Sequence, residues 1–131
     1  MSHPELGSHT CVVRTADGEI LTSDERGVRP PLLWLRADPS MLQGAAVSDK
    51  VIGKAAALLF CYGGARSIYA GMMSEAARDF LDAQGVAYEY ERLVPAILNR
   101  AGMDLCPMER RALGIEDPGE AFQVFNALVK H

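Results

Sequence analysis

The order of apolar and polar positions along the chain predicts a series of short elements. Cys11-Val12-Val13-Arg14-Thr15 and Glu19-Ile20-Leu21-Thr22-Ser23 are β-prone runs on either side of Asp17-Gly18. An Asp-Gly between such runs predicts a β-hairpin with a type I′ turn, because glycine accepts positive φ. Pro30-Pro31 opens a short helix over Leu32-Leu33-Trp34-Leu35-Arg36, halted before Pro39. Residues 48–62 read as a helix capped by Ser48 or Asp49 and stopped at Gly63-Gly64. From Ala55 to Tyr62 it has no polar face, which marks a buried helix, and its polar residues Asp49, Lys50 and Lys54 fall in the first turn and a half.

Ser67-Ile68-Tyr69-Ala70-Gly71-Met72-Met73 reads as a strand, followed by a helix from the cap Ser74 to Gln84, ended by Gly85. Val86-Ala87-Tyr88-Glu89-Tyr90-Glu91 alternates with period two, as a half-buried strand does. Strand, helix and strand at this spacing predict a βαβ unit with a parallel pair and a right-handed crossover. Asp117-Pro118-Gly119-Glu120 is a capping-box start, and Phe122, Phe125, Leu128 and Val129 form the apolar stripe behind it. With no repeat or linker, the expectation is one α/β sandwich: a hairpin plus a parallel pair, covered by helices.

Composition narrows the chemistry. The 131 residues suit a single domain, and 49% hydrophobic content excludes a disordered tail. No apolar run approaches the roughly 18 residues of a membrane span. The formal charge of -4 is a poor footprint for nucleic acid. His3, His9 and His131 lie at the two ends, so residues 10–130 contain no imidazole for a Ser-His-Asp triad, a Cys-His dyad or a His-rich metal site. Cys11, Cys61 and Cys106 are odd in number and widely spaced, which fits free thiols in a reducing compartment better than zinc or disulfides. No basic segment precedes an apolar one at the N-terminus, so the expected location is cytoplasmic. Residues 1–9 read as either a disordered lead or an appended segment, and residues 10–131 as the domain.

Three groups of residues could carry chemistry. Lys50 and Lys54, read as i,i+4 neighbours at the positive end of a helix dipole, are mutually repulsive there unless an anion binds. Backbone N–H groups and two ammoniums would then make a phosphate or carboxylate cradle, with Asp49 beside it and Gly53 allowing close approach. The competing reading is two solvated lysines, one paired with Asp49. Ser74 and Glu75 form the second group, at a strand-to-helix junction where α/β folds gather ligands, although an N-cap with a dipole-complementing acid explains them equally. Asn99-Arg100 with Cys106-Pro107-Met108-Glu109 is the third. Cys106 reads as the N-cap of a helix, where a thiol's pKa falls, or as a buried cysteine at a turn, and Glu109 is placed to reach back as in a capping box. Arg100 could fork onto an anion or pair with Asp104 or Glu109. Tyr69, Tyr88 and Tyr90 read as sheet aromatics, Arg110-Arg111 as a solvated face and Cys61 as structural.

Ser48-Asp49-Lys50-Val51-Ile52-Gly53-Lys54-Ala55-Ala56-Ala57, Tyr69-Ala70, Ser74-Glu75, Asn99-Arg100 and Cys106-Pro107-Met108-Glu109 together resemble a small prokaryotic domain family of unknown function. That family has a cytidine-deaminase-like fold, and the likeness runs from about Cys11 to Leu128. It implies a three-layer α/β/α sandwich with a mixed sheet and an N-terminal β-hairpin. The helix ending at Tyr62 would stand where deaminases carry a His-Ala-Glu or Cys-Ala-Glu motif, and the helix after Ser74 where they carry Pro-Cys-x-x-Cys. Neither motif is present, so zinc-dependent deamination is not implied and no cofactor or metal is expected. What the resemblance retains is a shared pocket for Lys50, Lys54, Ser74 and Glu75.

The expected function is therefore binding of a small anionic or nucleotide-like molecule at helix N-termini. Asp49, Lys50, Gly53, Lys54, Ser74, Asn99 and Arg100 would hold it; if a reaction occurs, Glu75 or Glu109 is the acid/base and Cys106 the nucleophile. The alternatives are a non-catalytic sensor or redox-partner module and a thiol-dependent enzyme. Neither nucleic acid nor membrane is expected as a partner, and homo-oligomerisation is left open.

Overall fold

The computed structural model describes residues 3–98 and 106–129. Strands β1 (Cys11–Arg14) and β2 (Ile20–Ser23) form the antiparallel hairpin that Asp17-Gly18 announced. Its turn differs from the expected type I′. Gly18 N–H donates to the Thr15 carbonyl at 3.0 Å, and Thr15 N–H to the Glu19 carbonyl at 2.8 Å. Gly18 alone in this turn has positive φ, at 94°. That is a three-residue loop with the glycine in a bulge position, which leaves Asp17 unstrained.

Helix α1 (Arg29–Ala37) carries its prolines in the first turn and ends before Pro39, as expected. The next element overturns the reading of residues 48–62 as one helix. Residues Ala46–Ile52 are a strand, β3, and helix α2 begins only at Lys54 and runs to Tyr62, with Gly53 as its N-cap. β3 lies between β1 and β4, and most of it is buried. A strand covered on both faces need not alternate in polarity. Its Ser48 and Asp49 resemble caps in sequence, but the Ser48 hydroxyl donates to the Pro4 carbonyl at 2.6 Å, and Asp49 stands opposite Cys11 in the sheet. Val47, Val51 and Ile52, β-branched and close together, favour the extended chain.

Beyond α2 the sequence reading holds closely. Strand β4 (Ser67–Ser74), helix α3 (Glu75–Gln84) and strand β5 (Ala87–Val94) form the parallel βαβ unit. Gly85 ends α3 in the left-handed conformation, with φ 71°. A short helix α4 (Pro107–Ala112) and a final helix α5 (Pro118–Leu128) complete the described chain. The sheet order is β2-β1-β3-β4-β5, with β1 antiparallel to both neighbours and β3, β4 and β5 parallel. The result is a mixed α/β architecture with a sheet of five strands among the described residues, one more than the hairpin and parallel pair expected.

The connections β3-α2-β4 and β4-α3-β5 advance in the same direction across the sheet, so right-handed crossovers place α2 and α3 on the same face. Helix α2 touches α1, α3, α4 and α5 as well as β3. This encirclement explains its uniformly apolar sequence: Ala55 to Phe60 are all buried, and Phe60 is among the largest fully enclosed side chains with Phe125, Leu32 and Leu35. Only the last turn reaches the surface, where the Tyr62 ring stacks on Phe122 at 4.8 Å. Among the described residues no helix is long and apolar enough to cross a membrane.

The segment of residues 3–9 touches the sheet at His3 and Pro4. Pro4 is buried, its carbonyl is held by Ser48, and the His3 ring stacks on Tyr69 at 3.8 Å. Ser48 and Tyr69 are register partners on β3 and β4, so this segment lies as a strap across two central strands. Removing the Ser48 hydroxyl leaves a buried carbonyl without its donor. We expect Ser48→Ala to cost about 1–2 kcal/mol, read as a lower urea midpoint with an unchanged m-value.

Candidate functional site

The carboxyl ends of β3 and β4 deliver the starts of α2 and α3, the region where ligands bind in open α/β sheets. At α2 the backbone N–H groups are already occupied. Glu109, from α4, places its carboxylate over the helix start: Oε1 accepts from Lys54 N–H at 2.7 Å and Oε2 from Ala55 N–H at 3.0 Å. Gly53 makes this possible, since a Cβ there would collide with all three atoms of the Glu109 carboxyl group. The small residue at 53 therefore admits an internal side chain where the sequence suggested a ligand. Glu109 is 7% exposed. Burial pushes its pKa up, while the two N–H donors and the Lys54 ammonium pull it back towards the charged form.

This arrangement corrects two expectations. Glu109 does not reach back to the start of its own helix. Cys106 caps α4 without a side-chain hydrogen bond, and its N–H donates to the Ile97 carbonyl at 3.0 Å. With both oxygens of Glu109 committed to α2, that carboxylate is not poised as a base for the Cys106 thiol. The two-lysine cradle is not formed either. Lys50 is exposed on β3, and strand alternation turns it to the face opposite Asp49 and Val51. Lys54 sits on α2 with its ammonium 3.0 Å from Glu116 Oε2 and 3.4 Å from the Leu113 carbonyl.

Asp49 is buried in the sheet, its Oδ1 accepting from Val51 N–H at 3.2 Å. Desolvation pushes its pKa up to about 7, against opposing hydrogen bonds from Val51 and the Cys11 thiol. The same burial, with Asp49 beside it, drives the Cys11 thiol far above its ordinary range, so this thiol is a donor and not a nucleophile. Cys61 follows suit, pushed by burial to about 11.

Ser74 caps α3 as expected, its Oγ accepting from Ala77 N–H at 3.1 Å, and Glu75 is exposed in the first turn. Asn99, Arg100 and Asp104 lie outside the described residues. The two helix starts offer a glycine, a lysine ammonium, a serine bonded to backbone, the Glu109 carboxylate committed to α2 and Glu75, with no His or Cys among them, which is a poor donor set for zinc. Among the described residues no three His, Cys, Asp or Glu side chains converge as metal ligands.

An open cleft of about 440 Å³ remains beside Lys54, between α3 and the α4–α5 connection. Ala76, Phe80 and Ala83 give it an apolar wall, and Lys54, Glu116, Asp79 and Gln84 supply its polar groups. Of these, the sequence reading identified Lys54 alone. The spacing of Ala76, Phe80 and Ala83 at i, i+4 and i+7 was visible, but it is also what any helix shows its core. Nothing local distinguishes Glu116 from other loop acids.

Fold and site thus define a small mixed α/β domain whose first strand-to-helix junction is closed by its own carboxylate, leaving a lysine-containing cleft alongside. The chain belongs to the domain family of unknown function DUF1893, whose model matches residues 5–129. The crystal structure of a DUF1893 protein, TM1506 from Thermotoga maritima, is similar in fold. It shares 24% identity at a TM-score of 0.84, over 94% of this chain and 82% of that one. No curated protein matches the chain.

Two measurements test this geometry. Glu109→Ala is expected to cost about 2–4 kcal/mol by stripping two buried N–H groups of their acceptor. Gly53→Ala is expected to destabilise the native sequence strongly, yet cost little in the Glu109→Ala background, where its Cβ finds room. Additive losses in urea unfolding would refute the steric coupling. For Asp49, the folded pKa lies above the ordinary 3.8 of the unfolded chain. Its contribution to stability is intact below about pH 4 and is lost as pH rises through 7. Asp49→Asn should therefore flatten the decline in unfolding free energy between those values and exceed the native protein in stability at pH 8.

Proposed function

We propose that the protein binds a small anionic ligand in the cleft beside Lys54, on a cytidine-deaminase-like frame without zinc-dependent deamination. The observation that carries this reading is the asymmetry of the Lys54 ion pair. The Lys54 side chain is 6% exposed and Glu116 is 77% exposed. A buried ammonium must keep an anionic or dipolar partner, whereas an exposed carboxylate is released to water at little cost. Glu116 is thus an exchangeable counterion, and the cleft gives a competing carboxylate or phosphate access to the same ammonium. Ala76, Phe80 and Ala83 provide the apolar contact typical of small-molecule sites.

The deaminase-like part rests on the placement of the helices. Two adjacent parallel strands, β3 and β4, each deliver a helix at the carboxyl end, and α2 and α3 touch. This is the juxtaposition that the resemblance implies for the two motif-bearing helices. The ligand contact moves, in this reading, from the helix N-terminus to the first side chain of α2, because Glu109 fills the N-terminal position itself.

Titration calorimetry with butyrate, inorganic phosphate and a nucleoside monophosphate tests the proposal. Lys54→Met should abolish binding or weaken it by about tenfold or more, the worth of a charge-assisted hydrogen bond. Glu116→Gln should tighten anion binding several-fold by removing the internal competitor. Weaker anion binding in Glu116→Gln than in the native chain, or no heat from any anion at millimolar concentration in that variant, would overturn it.

A further inference from the structure

We infer that the ligand of this cleft is a zwitterion, a small amino carboxylate whose charges are separated by a short apolar chain. The inference rests on the anion site at Lys54 proposed above and specifies what else the ligand must carry. Among the described residues, the charged side chains lining the cleft are one cation, Lys54, and two carboxylates, Glu116 and Asp79. In the unliganded protein Lys54 and Glu116 balance each other at 3.0 Å. Among the described residues Asp79 is answered by its sequence neighbour Arg78, at 3.1 Å, and Arg78 is not among those that line the cleft.

A ligand carboxylate that takes the place of Glu116 at Lys54 leaves Glu116 without its counter-charge, beside the Arg78-paired Asp79. A phosphate or a nucleotide adds more charge still, and each uncompensated like charge opposes binding. A protonated amine on the same ligand removes the deficit by reaching the displaced Glu116 or Asp79, with the Gln84 amide as a further acceptor. Phe80, with small alanines before and after it on α3, offers the apolar wall along which methylene groups would lie. The cleft thus selects against simple anions through charge while still requiring a carboxylate.

The test is calorimetry on the full chain with γ-aminobutyrate, δ-aminovalerate and ε-aminocaproate, against butyrate, butylamine and inorganic phosphate. We expect at least one amino carboxylate to bind about tenfold or more tightly than butyrate or butylamine. That margin should be lost in Asp79→Asn or Glu116→Gln, each verified as folded by circular dichroism. Asp79 is 69% exposed, so its substitution leaves the core intact. Butyrate or phosphate binding as well as every amino carboxylate would overturn the zwitterion while leaving the anion site standing. Butylamine binding alone, or no binding by any probe, would overturn both. A margin that survives in both variants would overturn the assignment of the amine to these carboxylates.

Discussion

The carboxylate of Glu109 seated on the first turn of α2 is the constraint around which the rest of the domain is arranged. Helix α2 is enclosed by four other helices and a strand, so water cannot satisfy its first N–H groups, and an unmade bond there would cost the full desolvation of the group. A short side chain from Gly53 itself cannot supply the acceptor. The acceptor arrives from 55 residues downstream, carried by a six-residue helix that has little hold of its own. Helix α4 is pinned by the bond it makes, and α2 is completed by it. The empty side of Gly53 is the space in which the two meet.

Fixing Glu109 there decides the electrostatics of the neighbourhood. With the positive end of the α2 dipole answered by that carboxylate, the Lys54 ammonium extends away to Leu113 and Glu116 on the next connection. A buried cation with an exposed counterion is a different chemical object from a pair of solvated lysines. In the proposed reading it holds a charge in place and leaves the identity of the opposing charge open to competition. The functional reading follows from that inequality of burial and not from the number of basic residues.

Much of the fold was legible because local signals agree with tertiary need. Asp17-Gly18, Pro30-Pro31, Ser74 with Gly85, and Asp117-Pro118 each punctuate the chain where the structure does. The failure at Ser48-Asp49-Lys50 has one physical source. These residues resemble a helix cap because small polar side chains usually satisfy nearby backbone; here Ser48 is satisfied by Pro4, and Asp49 bonds the nearby Val51 N–H from within a strand, beside Cys11. Glu109 was misread for the same reason. Its spacing from Cys106 suggested a local partner, and the partner is on another helix. Of the candidate site, Lys54, Gly53 and Ser74 could be singled out by residue type, but what each of them touches could not. Contacts between α3 and the α4–α5 connection leave no periodic trace.

The strap formed by His3 and Pro4 also has a bearing on how the molecule comes together. The Pro4 carbonyl finds its donor 44 residues later, at Ser48, and the His3 ring rests on Tyr69. On a growing chain neither receptor exists until the strands that carry them have emerged and paired. The segment must therefore wait, solvated, through the assembly of β3 and β4, and dock onto a surface built after it. Its residues are early in order of synthesis and late in order of placement.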